Sequence, residues 1–315
     1  GTANARALSL VIGGVAMSTE FSAIPTVHGR AAERLPEQAH AGAVHLQISD
    51  LQRSIEYYQG VLGMELLERS AGRASLGPRG SARPLAHLEE KGGVAPVPRR
   101  GRFGLYHFAL LLPDRVALGR FAAHLLRLGI RPGMADHAVS EALYLSDPDG
   151  LGIEVYADRP RTSWTYREGE LVMSTDPLDI GGLISAGEGS DWDRAPDGTT
   201  MGHVHLHVGD LASAEAFYHG ALGFDTTVWS YPGALFFSAG GYHHHLGTNI
   251  WSPGPSARAD EARLLGWELV VPGREQTDDV AQRLRASGYA VDPAPDGVRT
   301  SDPWGTGVYV STKAS

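Results

Sequence analysis

The 315-residue chain has no cysteine, which removes disulfides, thiolate zinc sites and cysteine nucleophiles together. Any metal must be held by nitrogen and oxygen. Positive charge is also in short supply: 27 Lys and Arg stand against 36 Asp and Glu, a net charge of −9, which opposes binding to a phosphate backbone. Nucleic acid is therefore not an expected partner, and the short cluster Arg99-Arg100-Gly101-Arg102 reads as a solvated loop face. Nor is there an uninterrupted apolar run of the roughly 18 residues that a membrane span needs. A soluble, cytoplasmic protein is expected. The run Ala7 to Met17 after Arg6 also admits the reading of a signal-peptide core, and residues 1–16 that of a vector-derived remnant or a leader before Met17.

What the chain does have is glycine and proline, 40 and 19 residues, with 42 % apolar content. This suits compact modules joined by tight turns. One phrase occurs twice with identical spacing. Asp50-Leu51 leads through Ile55, Tyr57 and Tyr58 to Val61-Leu62-Gly63-Met64, and Asp210-Leu211 leads through Phe217 and Tyr218 to Ala221-Leu222-Gly223-Phe224. Each reads as a strand, an Asp at a helix N-cap, a short amphipathic helix, a glycine exit and a new strand. Looser copies run from Leu105 through Asp114 to Gly129 and from Leu264 through Thr277 to Gly288. The expected architecture is α+β: four βαβββ modules paired into two half-barrel cups, at residues 41–98, 103–160, 201–254 and 262–313. Residues 1–40 form an N-terminal extension, of which residues 18–40 are expected to wrap the first domain (41–160). Residues 161–200 are a linker to the second (201–315), with Trp164, Tyr166 and Trp192 as apolar anchors or parts of a lid.

The stretch Ala135 to Glu154, ADHAVSEALYLSDPDGLGIE, places His137, Tyr144 and Glu154 around an Asp-Pro-Asp-Gly turn between two strand-like runs. It resembles the ring-cleavage signature of the extradiol catechol dioxygenases, a branch of the vicinal-oxygen-chelate superfamily, and departs from it only at Ala135. The four-module form is similar to the catechol 2,3-dioxygenases.

The repeat locates the remaining ligands. Seven residues before the helix-opening position the modules present Ala43, His107, His203 and Gly266, and seven after each Asp-Pro pair stand Glu154 in module 2 and Tyr309 in module 4. A triad of His107, His203 and Glu154 follows, the two-His, one-carboxylate set expected of non-heme Fe(II) oxygenases, with Mn(II) served by the same donors. It requires module 2 to share a cup with module 3, within one chain or across the chains of a homo-oligomer, and leaves modules 1 and 4 a metal-free cup. His205 is the rival to His203, His45 reads as pocket lining, and a plain buried ion pair is the bland account of His107 with Glu154.

The resemblance implies cleavage of a small aromatic diol by O₂. His244, in His243-His244-His245, would be the acid–base catalyst, with strand alternation putting its two neighbours on the other face and His243 or His245 as substitutes. A solvated turn or an internal tag is the plainer account of the triplet. Tyr144 and His137 would contact the substrate oxygens; a core tyrosine is the plain account of Tyr144. Two other outcomes on the same fold are a glyoxalase-like metal lyase or isomerase, for which Glu90 offers a carboxylate but Ala43 no imidazole, and a metal-free drug-binding protein.

Overall fold

The computed structural model describes residues 33–98 and 100–312; the apolar run Ala7–Met17 lies outside them. Module 1 contributes β1 (His40–Ile48), α1 (Leu51–Gly60), β2 (Glu65–Ser70), β3 (Arg73–Gly77) and β4 (Ala86–Glu90). Module 2 follows with β5 (Gly104–Leu111), α2 (Arg115–Arg127), β6 (Gly133–Asp136), β7 (Ser140–Ser146) and β8 (Gly152–Asp158). Between the halves lie β9 (Tyr166–Arg167), β10 (Glu170–Leu171) and α3 (Ile180–Ala186). Module 3 comprises β11 (Thr200–His207), α4 (Leu211–Glu215) continued by a π-helical turn, β12 (Asp225–Val228), β13 (Ala234–Ser238) and β14 (Leu246–Asn249). Module 4 comprises β15 (Arg263–Val270), α5 (Arg274–Ala286), β16 (Asp292–Ala294), β17 (Gly297–Ser301) and β18 (Gly307–Ser311).

Local chemistry sets the helix starts. Asp50, Asp114 and Asp210 each accept the backbone N–H three residues on, at 2.9, 2.8 and 2.7 Å, which satisfies one of the donors a helix N-terminus leaves open. In module 4 Gly273 stands at this place without a side-chain cap. Gly63 and Gly223 leave the helices at φ 73° and 91°, a left-handed backbone that favours glycine.

The modules pair as the register requires. One eight-stranded sheet has the order β12-β13-β14-β11-β5-β8-β7-β6, joining modules 3 and 2, and the other runs β16-β17-β18-β15-β1-β4-β3-β2, joining modules 4 and 1. Both form within one chain, with the first strands of the paired modules antiparallel at the centre. Consecutive modules are tied differently. The Tyr58 hydroxyl points to Asp147 at 3.4 Å and that of Tyr218 to Asp302 at 2.9 Å, so a helix of modules 1 and 3 meets the Asp-Pro turn of modules 2 and 4.

The described end of the N-terminal extension reaches module 3: Leu35 N–H donates to Gly223 O at 2.8 Å and Arg34 pairs with Asp225; the rest of the extension lies outside the described residues. Residues 161–200 are more than a linker. Trp164 and Trp192 are buried among apolar side chains while Tyr166 is exposed, and Met173, Ser174 and Thr175 form part of a cavity wall.

Candidate metal centre

Bulges aim the candidate ligands. Between β5 and β11, His205 pairs with His107 but Leu206 with Leu105, so Tyr106 is an extra residue; Met201 pairs with Leu110 but His203 with Ala109, so Gly202 is another. Each extra residue directly precedes a ligand histidine and turns it toward the cup. Gly202 has a steric reason as well: a Cβ there would lie 1.8 Å from the Tyr156 hydroxyl. From the neighbouring strand β8, Glu154 enters beside Ala109.

The result is a buried triad. His107 Nε2 lies 3.0 Å and His203 Nε2 3.1 Å from the same oxygen, Glu154 Oε2, with the two rings 5.5 Å apart. Burial alone would raise the Glu154 carboxyl, but the imidazoles of His203 and His107 outweigh it and hold the acid well below its ordinary range. Burial pushes His203 down to about 4 despite that carboxylate, so at neutral pH its ring is uncharged and has a lone pair to give. The arrangement fits a metal better than a plain ion pair. His107 Nε2 faces the carboxylate without hydrogen-bond alignment, and among the described residues His203 Nδ1 is buried with no partner. Two imidazole nitrogens and a carboxylate oxygen within 4.8 Å of one another are a donor set for a first-row divalent ion. His205, the rival ligand, is turned elsewhere: its Nε2 accepts from Asn249 Nδ2 at 3.0 Å, and Gly247 leaves room for its ring.

Above the triad opens a cavity of about 470 Å³, lined by His107, Glu154, His203, His205, His137, Tyr144 and His244 and by the apolar faces of Met134, Met173, Tyr231, Phe236 and Trp251. That is the size and mixture expected of a small-molecule site. His137 Nδ1–H donates to Ser174 O at 2.7 Å, so Nε2 of the neutral ring accepts from the Tyr144 hydroxyl at 2.6 Å. Burial and the nearby Glu154 charge push the Tyr144 hydroxyl well above its ordinary value, and it stays a donor.

The triple histidine departs from the expected strand. It sits in the bend between β13 and β14, so alternation does not govern it. His243, His244 and His245 are all buried, yet of the three only His244 lines the cavity, with its ring 4.1 Å from that of His203. His245 turns away and accepts from Ala239 N–H at 3.2 Å. His243 stands behind His244, its Nδ1 2.7 Å from His244 Nδ1 and its Nε2 2.9 Å from Asp158 Oδ1. In the tautomer that donates His243 Nε2–H to the carboxylate, Nδ1 accepts from His244 Nδ1–H, and His244 Nε2 is left with a lone pair. Burial and the surrounding imidazoles hold His244 well below the ordinary histidine range. Sequence reasoning missed Asp158, although Glu154, Tyr156 and Asp158 share one face of β8 by alternation.

Comparison with known proteins identifies the family. The model of the Glyoxalase/Bleomycin resistance protein/Dioxygenase superfamily matches residues 38–155 and 200–309. The chain is 45 % identical to the catechol-2,3-dioxygenase of Bacillus subtilis (strain 168) over 87 % of its own length and 97 % of that protein. A biphenyl-2,3-diol 1,2-dioxygenase of Rhodococcus globerulus is 28 % identical over 45 % of the chain and 80 % of its own length. Among solved structures, glyoxalase I from Zea mays superposes with a TM-score of 0.53 at 17 % identity, covering 87 % of this chain and 92 % of that one; at this identity the likeness is one of fold. The chain therefore belongs to the glyoxalase/bleomycin resistance protein/dioxygenase superfamily.

Proposed function

We propose that the protein is an extradiol dioxygenase that opens the ring of a catechol-type substrate with O₂ at a non-heme Fe(II) centre held by His107, His203 and Glu154. The observation that carries this reading is the convergence of those three buried donors on one point of an aromatic-lined cavity, in a chain 45 % identical to a catechol-2,3-dioxygenase. Mn(II) suits the same donors. Bound there, the ion supplies Lewis acidity toward the diol oxygens and the one-electron chemistry that lets an organic ring react with O₂.

The chain's own residues do the rest. Phe236, Trp251, Tyr231 and the two methionines take the flat apolar ring and exclude water, which strengthens every polar contact inside. Tyr144 keeps its proton and donates to a substrate oxygen, and His137, held by Ser174 O, orients that hydroxyl. His244 Nε2 takes the proton of a substrate hydroxyl. A buried imidazolium there would be costly, but His244 Nδ1–H can pass to His243 Nδ1, which puts the charge on the ring beside Asp158. The Asp158 side chain is 27 % exposed, so the relay ends at solvent.

An oxygen electrode tests the reading. Protein reconstituted with Fe(II) is expected to consume O₂ with catechol and form a yellow ring-opened product. Absence of uptake across a panel of substituted catechols, with the metal bound, rejects it in favour of a lyase, isomerase or binding role on the same fold.

A further inference from the structure

The cup of modules 4 and 1, which the sequence reading leaves without a metal, holds the same set of donors, two imidazoles and a carboxylate. His45 on β1, His87 on β4 and Glu268 on β15 each offer one ligand atom, and these atoms lie within 4.8 Å of one another. Register relates the two sets. His45 stands opposite Gly266 and beside His87, as Ala109 stands opposite His203 and beside Glu154. His87 therefore has the place of Glu154, while His45 and Glu268 lie two residues past the places of His107 and His203. A shift of two keeps a side chain on the same face of its strand. The unshifted positions are Ala43 and Gly266, and Tyr309 fills the space at the latter, where a Cβ would lie 2.5 Å from its ring.

The donors are held in place. The Glu268 side chain is 2 % exposed; its Oε2 accepts from Ala43 N–H at 3.2 Å and its Oε1 lies 3.2 Å from His45 Nε2. Ser75 Oγ meets His87 Nδ1 at 2.9 Å, an outer contact of the kind that fixes the orientation of a ligating ring. The two imidazoles stack at 4.6 Å. A buried carboxylate is stabilised by positive charge held close to it. A single cation serves all three. His45 and His87 line a cavity of about 410 Å³ whose walls include Glu68, Arg73 and Glu89.

We propose that His45, His87 and Glu268 form a second site for a divalent first-row transition ion, separate from the His107–Glu154–His203 centre. Imidazole with carboxylate favours such an ion over Mg²⁺ or Ca²⁺.

Co(II) is the probe, added to chelator-stripped full-length protein and followed by metal content and visible absorption. Wild type is expected to take two equivalents, the His107→Ala/His203→Ala variant one, and that variant with His87→Ala added none, circular dichroism being unchanged throughout. If the double variant takes no Co(II), or the single variants His45→Ala and His87→Ala bind as much as wild type, the second site does not exist. These single variants decide the matter even where the double variant fails to fold. Failure of the first centre looks different: His87→Ala then abolishes all binding, and the double variant loses none.

Discussion

His243 Nδ1 and His244 Nδ1 lie 2.7 Å apart, with Asp158 at the far side of His243, so a proton can leave the cavity without leaving the protein's own hydrogen bonds. Asp158→Asn removes the charge that stabilises a protonated His243 but keeps a polar partner. It is expected to lower kcat by about ten- to a hundredfold, less than the roughly hundred- to ten-thousandfold of a positioned acid–base group because Asp158 acts through His243, and to leave bound metal unchanged. His244→Phe is expected to cost at least as much. Wild-type turnover in Asp158→Asn would remove the relay and leave His244 acting alone.

His203→Ala takes a nitrogen from the triad, whereas His205→Ala takes one held by Asn249. The first is expected to bind one equivalent of Fe(II) fewer than wild type, and the second as much as wild type. Metal analysis after gel filtration distinguishes them, and the reverse pattern would make His205 the ligand.

Tyr144→Phe deletes a hydroxyl that His137 holds at 2.6 Å and that the proposed reaction uses at a developing anion. A fall in kcat of about tenfold or more, with metal content preserved, is the expected outcome. An effect on KM alone would assign Tyr144 to ring binding.

Asp147 gives a pH dependence of stability. Burial, opposed by the N–H groups of Leu151 and Asp149 and aided by the Asp149 charge, pushes its carboxyl up to about 7 from 3.8. Between those values the folded chain holds a proton that the unfolded chain has released, so this group's contribution falls as pH rises through the window, by on the order of 4 kcal/mol. Asp147→Asn keeps an acceptor for both N–H groups and does not titrate. Its urea midpoint is expected to gain on wild type between pH 5 and pH 8. Parallel midpoints over that range would show that Asp147 titrates normally.

Metal binding couples to folding. Fe(II) or Mn(II) is expected to raise the melting temperature of chelator-treated protein. In Glu154→Gln the rise from the first centre should disappear, because the amide has no charge to offer the ion. Scanning calorimetry with and without the metal reads this directly.

The sequence by itself determined the module plan and pointed to His107, Glu154 and His203 as residues that come together. Asp at each of three helix starts, glycine at each exit and histidine at a constant distance before them are local signals, and local signals repeat when a module repeats. The Asp-Pro-Asp-Gly turn was legible too, although its acids turn out to be structural: Asp147 closes the turn, and Asp149 takes the backbone and side chain of Ser49. Only the tertiary structure decided what depends on distance across the chain. Asp158 joins His243 over 85 residues, and Glu268 joins His45 over 223. The segment after module 2 supplies Ser174 to His137 and a wall to the cavity. The triple histidine lies in a bend, not a strand, and there the two-residue rhythm that predicts side-chain facing no longer applies. Spacing along a chain reports position within a module, whereas a shared proton or metal depends on where separate modules meet, and packing alone sets that.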